Sequence, residues 1–392
     1  MNLIVSYSAA PVDAQRAEIC EHKGDGHPDS LCDGIAEAVS QALCSAYLRA
    51  YGEIRHHNVD KALLIGGRSR PRFGGGEVET PMRVIIAGCA DSLPVPDTVA
   101  DLAVDAARAY LERVLRHAPK RIGIEPAIRV GAPQLRRTVV PPTGIAVAND
   151  TSFGAAYAPY SRLEQTVLDL SALLGGRDFR LAFPAAGDDF KVMGRRIDGL
   201  IGLTIALAFV DREVNGVDDY FAAKAAMQAW LAERLGQECA ISINALDARD
   251  ARDEDGIYLS VTGTSAEHAD DGQVGRGNRV SRLITPSRTM SLEAAAGKNP
   301  VSHVGKLYNV LALELARALA SGIPDLREVT VQMLSAIGQP VNQPLLVALG
   351  CCLADASAAP LDEARLSALV QAGLDGIPSL SMRLARGETR VF

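Results

Sequence analysis

The sequence predicts an α+β fold of two or three units, and three observations carry that expectation. Pairs of strand-type runs followed by a long helix-type pattern recur about three times, which points to similar layers built on one plan. The chain has 392 residues, and at roughly 150 residues per domain each unit is large enough to bury its own core. Its composition, 48% hydrophobic and 22% charged, is globular and excludes disorder, a collagen-like repeat and a coiled coil.

Leu31, Ile35, Val39, Leu43 and Tyr47 recur every four positions and make one face of an amphipathic helix that Asp29 or Ser30 can cap. That helix starts directly after Gly26-His27-Pro28-Asp29. β-type runs at 62–65 and 83–87 follow, separated by a Gly/Arg/Pro-rich stretch ending in Gly74-Gly75-Gly76-Glu77, which reads as a mobile loop. A helix pattern fills 98–115, then come a short β-type run at 145–148 and a helix near 163–174. Strands are expected at 179–183, 200–210, 240–245 and 257–262, with helices at 218–235 and 304–320. Polar, glycine-rich loops between the strands suit an active site assembled from several of them.

Forty basic against 47 acidic side chains leave no basic stripe, so nucleic acid is not expected as a partner. The longest apolar run, 200–210, is broken by Thr204 and falls short of the ~20 residues of a membrane span. No Lys or Arg precedes Arg16, so the charged region of a signal peptide is missing and a cytoplasmic location is expected. Seven cysteines without a C-x-x-C pair fit reduced, buried thiols.

The chemistry-bearing segments are rich in charge. Asp270-Asp271-Gly272 places two carboxylates ahead of the glycine-flanked Arg276; carboxylates hold Mg²⁺, and a guanidinium grips phosphate oxygens, so polyphosphate is the natural ligand. Gly26-His27-Pro28-Asp29 joins a group that can donate to a phosphate oxygen with a metal-capable carboxylate at a helix start. Gly187-Asp188-Asp189-Phe190-Lys191 sets a lysine beside two acids and, alone, reads as a turn with a surface ion pair. Gly297-Lys298-Asn299-Pro300 looks like a phosphate-facing lysine loop, and Asp150 in 149–154 can meet a substrate amino group or merely form an Asx turn. His56 and His57 are adjacent on a β-type segment and point to opposite faces, so a polar loop or interface ranks above a shared metal. Neither a P-loop nor a dinucleotide fingerprint is supported.

Taken in order, the motifs at 23–30, 56–61, 73–77, 148–154, 191–194, 270–279 and 290–306 resemble the S-adenosylmethionine synthetases, specifically the archaeal-type branch. The resemblance covers nearly the whole chain. It implies adenosyl transfer from ATP to methionine sulfur, then hydrolysis of the triphosphate, with Mg²⁺ and usually K⁺. It also implies three similar α/β domains with interleaved segments in a pseudo-threefold arrangement, over portions 1–150, 151–285 and 286–392. A homodimer or a dimer of dimers follows, with the site between two subunits. By motif match His27, Lys191, Arg276 and Lys298 are catalytic, Asp150 and Asp270 bind substrate, and Asp29 and Asp271 hold metal.

Some positions depart from the family pattern. Ser302 and Val304 stand where the better-known bacterial branch has a lysine and a metal-binding aspartate. Asp271 and Glu293 are then candidates for the second metal ligand, with His303 or Lys306 for the missing cation. Gly277 stands where a lysine follows the arginine, and no aromatic residue matches the adenine-stacking one. Gly131-Ala132-Pro133-Gln134 replaces the archaeal Gly-Pro-Gly-Ser, which makes Gly131 and Gln134 substrate-binding candidates and points to altered nucleotide or substrate preference. Two rivals remain at this level: a non-catalytic paralogue, and a hydrolase that keeps only the second half-reaction.

Overall fold

A computed structural model describes residues 2–94, 98–117, 122–139, 145–236, 239–355, 357 and 359–392. Three mixed sheets and one two-stranded hairpin organise them. In the first sheet the Leu326–Leu334 and Leu346–Leu353 strands form an antiparallel pair, with Asn2–Ser8 parallel on one edge and Phe153–Ala158 antiparallel on the other. In the second, Ala186–Ile197 and Leu200–Val210 pair likewise, flanked by parallel Cys239–Ile243 and antiparallel Ala17–Lys23. In the third, His57–Ile65 and Arg83–Ala90 pair, flanked by parallel Gly123–Arg129 and antiparallel Gly272–Gln273. The same plan thus occurs in each sheet. Portions 1–150 and 151–285 each supply strands to all three sheets.

Each sheet buries one face against helices, because alternate side chains point to opposite faces. Val59, Leu64, Val84 and Ile86 are fully buried against the Pro28–Tyr51 and Val99–Val114 helices, whereas Leu63 on the same strand is 39% exposed. The Arg162–Leu174 and Val217–Leu235 helices cover the second sheet, and the Val304–Gly322, Glu363–Asp375 and Ile377–Ala385 helices the first. Burying each Leu, Ile or Val side chain contributes about 1.5–3 kcal/mol, so these faces are the main source of stability. The opposite faces expose Ile4, Ile19, Ile197 and Leu200.

Several local expectations are corrected. Residues 179–183 do not form a strand: Arg177–Ala182 is helical, because Phe179 and Phe183, four apart, both pack on Trp230. Asp188 to Lys191 are not a surface turn but part of the Ala186–Ile197 strand, with Asp188 and Asp189 buried. The run at 145–148 contributes only the Val147–Pro340 bridge, and 257–262 only Leu259–Ser260. The glycine-rich stretch at 73–77 is pinned at both ends, since the fully buried Asp211 carboxylate accepts the N–H groups of Arg72 and Gly76 at 3.2 and 2.7 Å. All seven cysteines are free thiols, and no helix among the described residues is long and apolar enough to cross a membrane.

Burial also sets the acid limit of the fold. The His22, His57 and His303 rings are pushed down by burial to about 4, about 3 and about 3, against about 6.5 in an unfolded chain. Below pH 6.5 the unfolded chain therefore binds more protons than the native one, so stability is lost as pH falls through that window. Asp33 and Asp189, raised by burial to about 7 and about 6, act in the opposite sense but are fewer. The melting temperature is expected to fall on acidification from pH 6.5 to 4.5 in thermal-unfolding scans; a constant value across that range contradicts this reading.

Candidate active site

The long Pro28–Tyr51 helix begins with proline at its first position, whose fixed φ suits a helix start and whose missing N–H costs nothing there. His27, not the expected Asp29 or Ser30, is the cap, and its Nδ1 accepts the Asp29 N–H at 3.2 Å. That bond leaves Nδ1 unprotonated, so Nε2 carries the proton and acts as a donor. Burial first, then the Lys23 and Lys191 ammoniums, hold the ring at about 4 against the pull of Asp29, so it is neutral at physiological pH.

Two glycines let other segments close on this helix start. A Cβ on Gly26 would lie 2.4 Å from the Asp188 carbonyl oxygen, and one on Gly272 would lie 2.2 Å from that of Pro28. The result is a ring of charge. Lys23 and Lys191 are paired across neighbouring strands, and the Lys23 ammonium donates to Asp29 Oδ2 and to the Arg276 carbonyl, both at 2.8 Å. Asp29 Oδ1 accepts the Gln273 N–H at 3.0 Å. The Ser265 hydroxyl lies 2.6 Å from Asp189 and 2.9 Å from Asp270, while Asp271 Oδ1 accepts the Gly66 N–H at 2.8 Å. The Arg276 side chain is exposed beside this ring. Lysines, an arginine and the positive end of a helix dipole make the place suited to a polyanion.

A second cluster lies further along the same helix. Lys298, 3% exposed, is ion-paired with Asp60 and lies 3.0 Å from Glu293 Oε1. Burial alone would raise the Asp60 carboxyl, but the Lys298 ammonium outweighs it and brings the group down to about 2. Glu293 Oε2 is 3.4 Å from the Ser152 hydroxyl, and the Asn149 N–H donates to the Ser302 carbonyl at 3.1 Å. Asp150 is exposed in this segment, its carbonyl accepting from Ser335. Lys306 donates to both Glu37 oxygens at 2.9 and 2.7 Å, and Glu37 also accepts the Gly297 N–H at 3.0 Å.

The structure therefore brings together His27, Asp29, Lys191, Asp270, Asp271 and Arg276, and places Lys298 and Asp150 in the second group. Gly131 packs on the His56 ring and Gln134 is exposed on the Pro133–Arg136 helix; no described contact ties either to these clusters. His56 and His57 are buried, and His57 Nε2 lies 2.8 Å from the Ser40 hydroxyl, so the pair forms no surface loop. Sequence reasoning assigned no role to Lys23, Glu37 or Asp60. No local signal marks Glu37, because its helix neighbours three and four residues away, Asp33, Gly34, Ser40 and Gln41, read as a polar face.

A family model described as S-adenosylmethionine synthetase matches residues 2–388. The chain belongs to the S-adenosylmethionine synthetase family. It is 46% identical over 355 residues to an S-adenosylmethionine synthase of Pyrococcus furiosus, covering 86% of each chain. It is 39% identical over 400 residues to that of Methanothermobacter thermautotrophicus, covering 100% of both. Among solved structures, an unusual S-adenosylmethionine synthetase from Campylobacter jejuni shares the fold with a TM-score of 0.62 at 14% identity, over 95% of this chain and 94% of that one. As a member of this family the chain is a methionine adenosyltransferase, forming S-adenosylmethionine from ATP and methionine. The family uses a divalent metal and a monovalent cation.

Carboxylates of Asp29, Asp270 and Asp271 suit a hard divalent ion. The Lys23 ammonium seated on Asp29 Oδ2 already shows that this oxygen takes a cation. No group of three or more metal-ligating side chains occurs among the described residues.

Proposed function

We propose that adenosyl transfer runs at the start of the Pro28–Tyr51 helix, with the triphosphate of ATP seated against His27, Lys191 and Arg276. The observation that carries this is the neutral His27 ring, fixed with its Nε2–H as the free donor beside two lysines. Methionine sulfur is an uncharged nucleophile and needs no general base. As the S–C5′ bond forms, the C5′–O5′ bond breaks and its electron pair leaves with the triphosphate. His27 donates to that oxygen, and Lys191 stabilises the charge as it develops. Arg276 clamps the phosphate tail, and Lys298 joins it by exchanging its Asp60 and Glu293 partners for phosphate oxygens; Asp150 takes the methionine ammonium, and Asp270 contacts substrate ahead of the glycine–arginine loop. Asp29 and Asp271 would hold Mg²⁺, which supplies charge neutralisation to the phosphates when bound; K⁺ is the monovalent cation in this reading. Gly131 and Gln134, which stand apart from both clusters, would meet substrate only from the Pro133–Arg136 side.

The threefold recurrence of one strand plan supports three α/β units in a pseudo-threefold arrangement, with portions 1–150, 151–285 and 286–392 interleaved. The apolar residues on the open sheet faces, Ile19, Ile197 and Leu200 among them, support a homodimer or a dimer of dimers with a shared site. Free thiols agree with a cytoplasmic location.

His27→Ala tests the reading directly. Transfer in single-turnover assays is expected to fall about 10²-fold, while hydrolysis of added triphosphate falls much less. Equal losses in the two steps would remove His27 from the bridge to the ribose.

A further inference from the structure

The segment 389–392 lies outside the matched family model, which ends at residue 388, yet it is built into the site. After the Ile377–Ala385 helix, Gly387 turns the chain with a φ of 72°, a left-handed conformation that glycine adopts without strain. Val391 is then buried at 2% exposure in the core under the Val304–Gly322 helix, and Phe392 is half-buried against the same core. Together they line a crevice with Asp33, Asn278, Arg279 and Glu293. Between the turn and this anchor, Arg390 donates to Asp25 Oδ1 at 2.7 Å. Asp25 stands two residues before His27 in the loop that enters the catalytic helix.

Asn278 secures the other end of that loop, its side chain accepting the Lys23 N–H at 2.9 Å and donating to the Lys23 carbonyl at 2.8 Å. The loop is thus held at Lys23 from one side and at Asp25 from the other. The Arg390–Asp25 pair is 54% and 53% exposed, and such pairs contribute about 0–1 kcal/mol to stability. Its consequence is therefore geometric: one leg of the His27 loop is fastened to a buried anchor.

We propose that residues 389–392 act as a strap on the Lys23–Asp29 loop, with Arg390 a positioning residue for His27. This rests on the placement of transfer at His27. A misplacement of about 1 Å at a reacting group can cost up to 10²-fold in rate, and the strap restrains the loop that sets the position of the His27 donor.

The test compares Arg390→Met, Arg390→Lys, Asp25→Ala and the Asp25→Ala/Arg390→Met double variant in the 392-residue chain. Each variant that removes the pair is expected to lose about fivefold in kcat, with the melting temperature within about 2 °C of the parent. Arg390→Lys retains activity, and the double variant loses no more than either single one, because the two side chains act through one contact. Parent-level kcat in Arg390→Met, losses that add in the double variant, or losses that follow a falling melting temperature would overturn the strap. His27→Ala, run in parallel, separates the two readings: if it stays inactive while Arg390→Met is fully active, only the strap fails. An active His27→Ala overturns the site assignment itself.

Discussion

Lys191→Met is expected to cut S-adenosylmethionine formation about 10²–10³-fold while the fold is kept, a loss of about 3–4 kcal/mol in transition-state stabilisation. Lys191 stands beside Lys23 on the neighbouring strand, but the two ammoniums are used differently. Lys23 is committed to Asp29 and to the Arg276 carbonyl, whereas Lys191 has no hydrogen-bonded or ion-paired partner among the described residues. An uncommitted cation next to a neutral donor is what a leaving polyphosphate requires, since its negative charge grows only as the C5′–O5′ bond breaks. Methionine keeps the length of the stem and its packing on the strand while removing the charge. Rapid-quench measurement of the sulfonium product reads the transfer step, and a thermal scan verifies the fold. Parent-like transfer in a folded variant removes Lys191 from the reacting centre.

The largest stability effect is expected at Lys306. This side chain is fully buried and Glu37 is 5% exposed, so their ion pair lies away from water. Lys306→Met leaves the Glu37 carboxylate buried without its counter-charge, which costs about 3–5 kcal/mol in comparable sites. Activity falls as well, because Glu37 also holds the Gly297 N–H and so fixes the loop that carries Lys298. Replacing both members, Glu37→Gln with Lys306→Met, is expected to cost less than Lys306→Met alone, since no isolated charge remains. Chemical and thermal unfolding of the parent, Lys306→Met and the double variant measures this order, and Lys306→Met as stable as the double contradicts it.

Sequence periodicity made part of this architecture legible for clear physical reasons. The Pro28–Tyr51 helix combines a four-residue apolar spacing with a proline at its start, and local signals of that kind need no tertiary information, although its cap is His27 and not Asp29 or Ser30. The Ala17–Lys23 strand was hidden because its inward positions carry Glu18 and His22, which read as surface residues. Glu18 is buried against Arg196 at 2.7 Å, a partner almost half a chain away. Asp188 misleads in the same way: the Arg116 guanidinium and backbone N–H satisfy it inside the fold, both at 2.8 Å. The Phe179-to-Phe183 segment alternates like a strand, and only the Trp230 surface makes it a helix. In the site, motif order named His27, Asp29, Lys191 and Arg276. The tautomer of His27, and the carboxylates that neutralise Lys23, Lys298 and Lys306, required the packed structure.

The position of the triphosphate decides the mechanism, and a crystal structure with a non-hydrolysable ATP analogue, Mg²⁺ and methionine measures it directly. The expected result places the phosphate tail at the start of the Pro28–Tyr51 helix, within hydrogen-bonding distance of His27 Nε2, Lys191 Nζ and the Arg276 guanidinium. A phosphate tail bound elsewhere, with these three groups facing solvent, would contradict it.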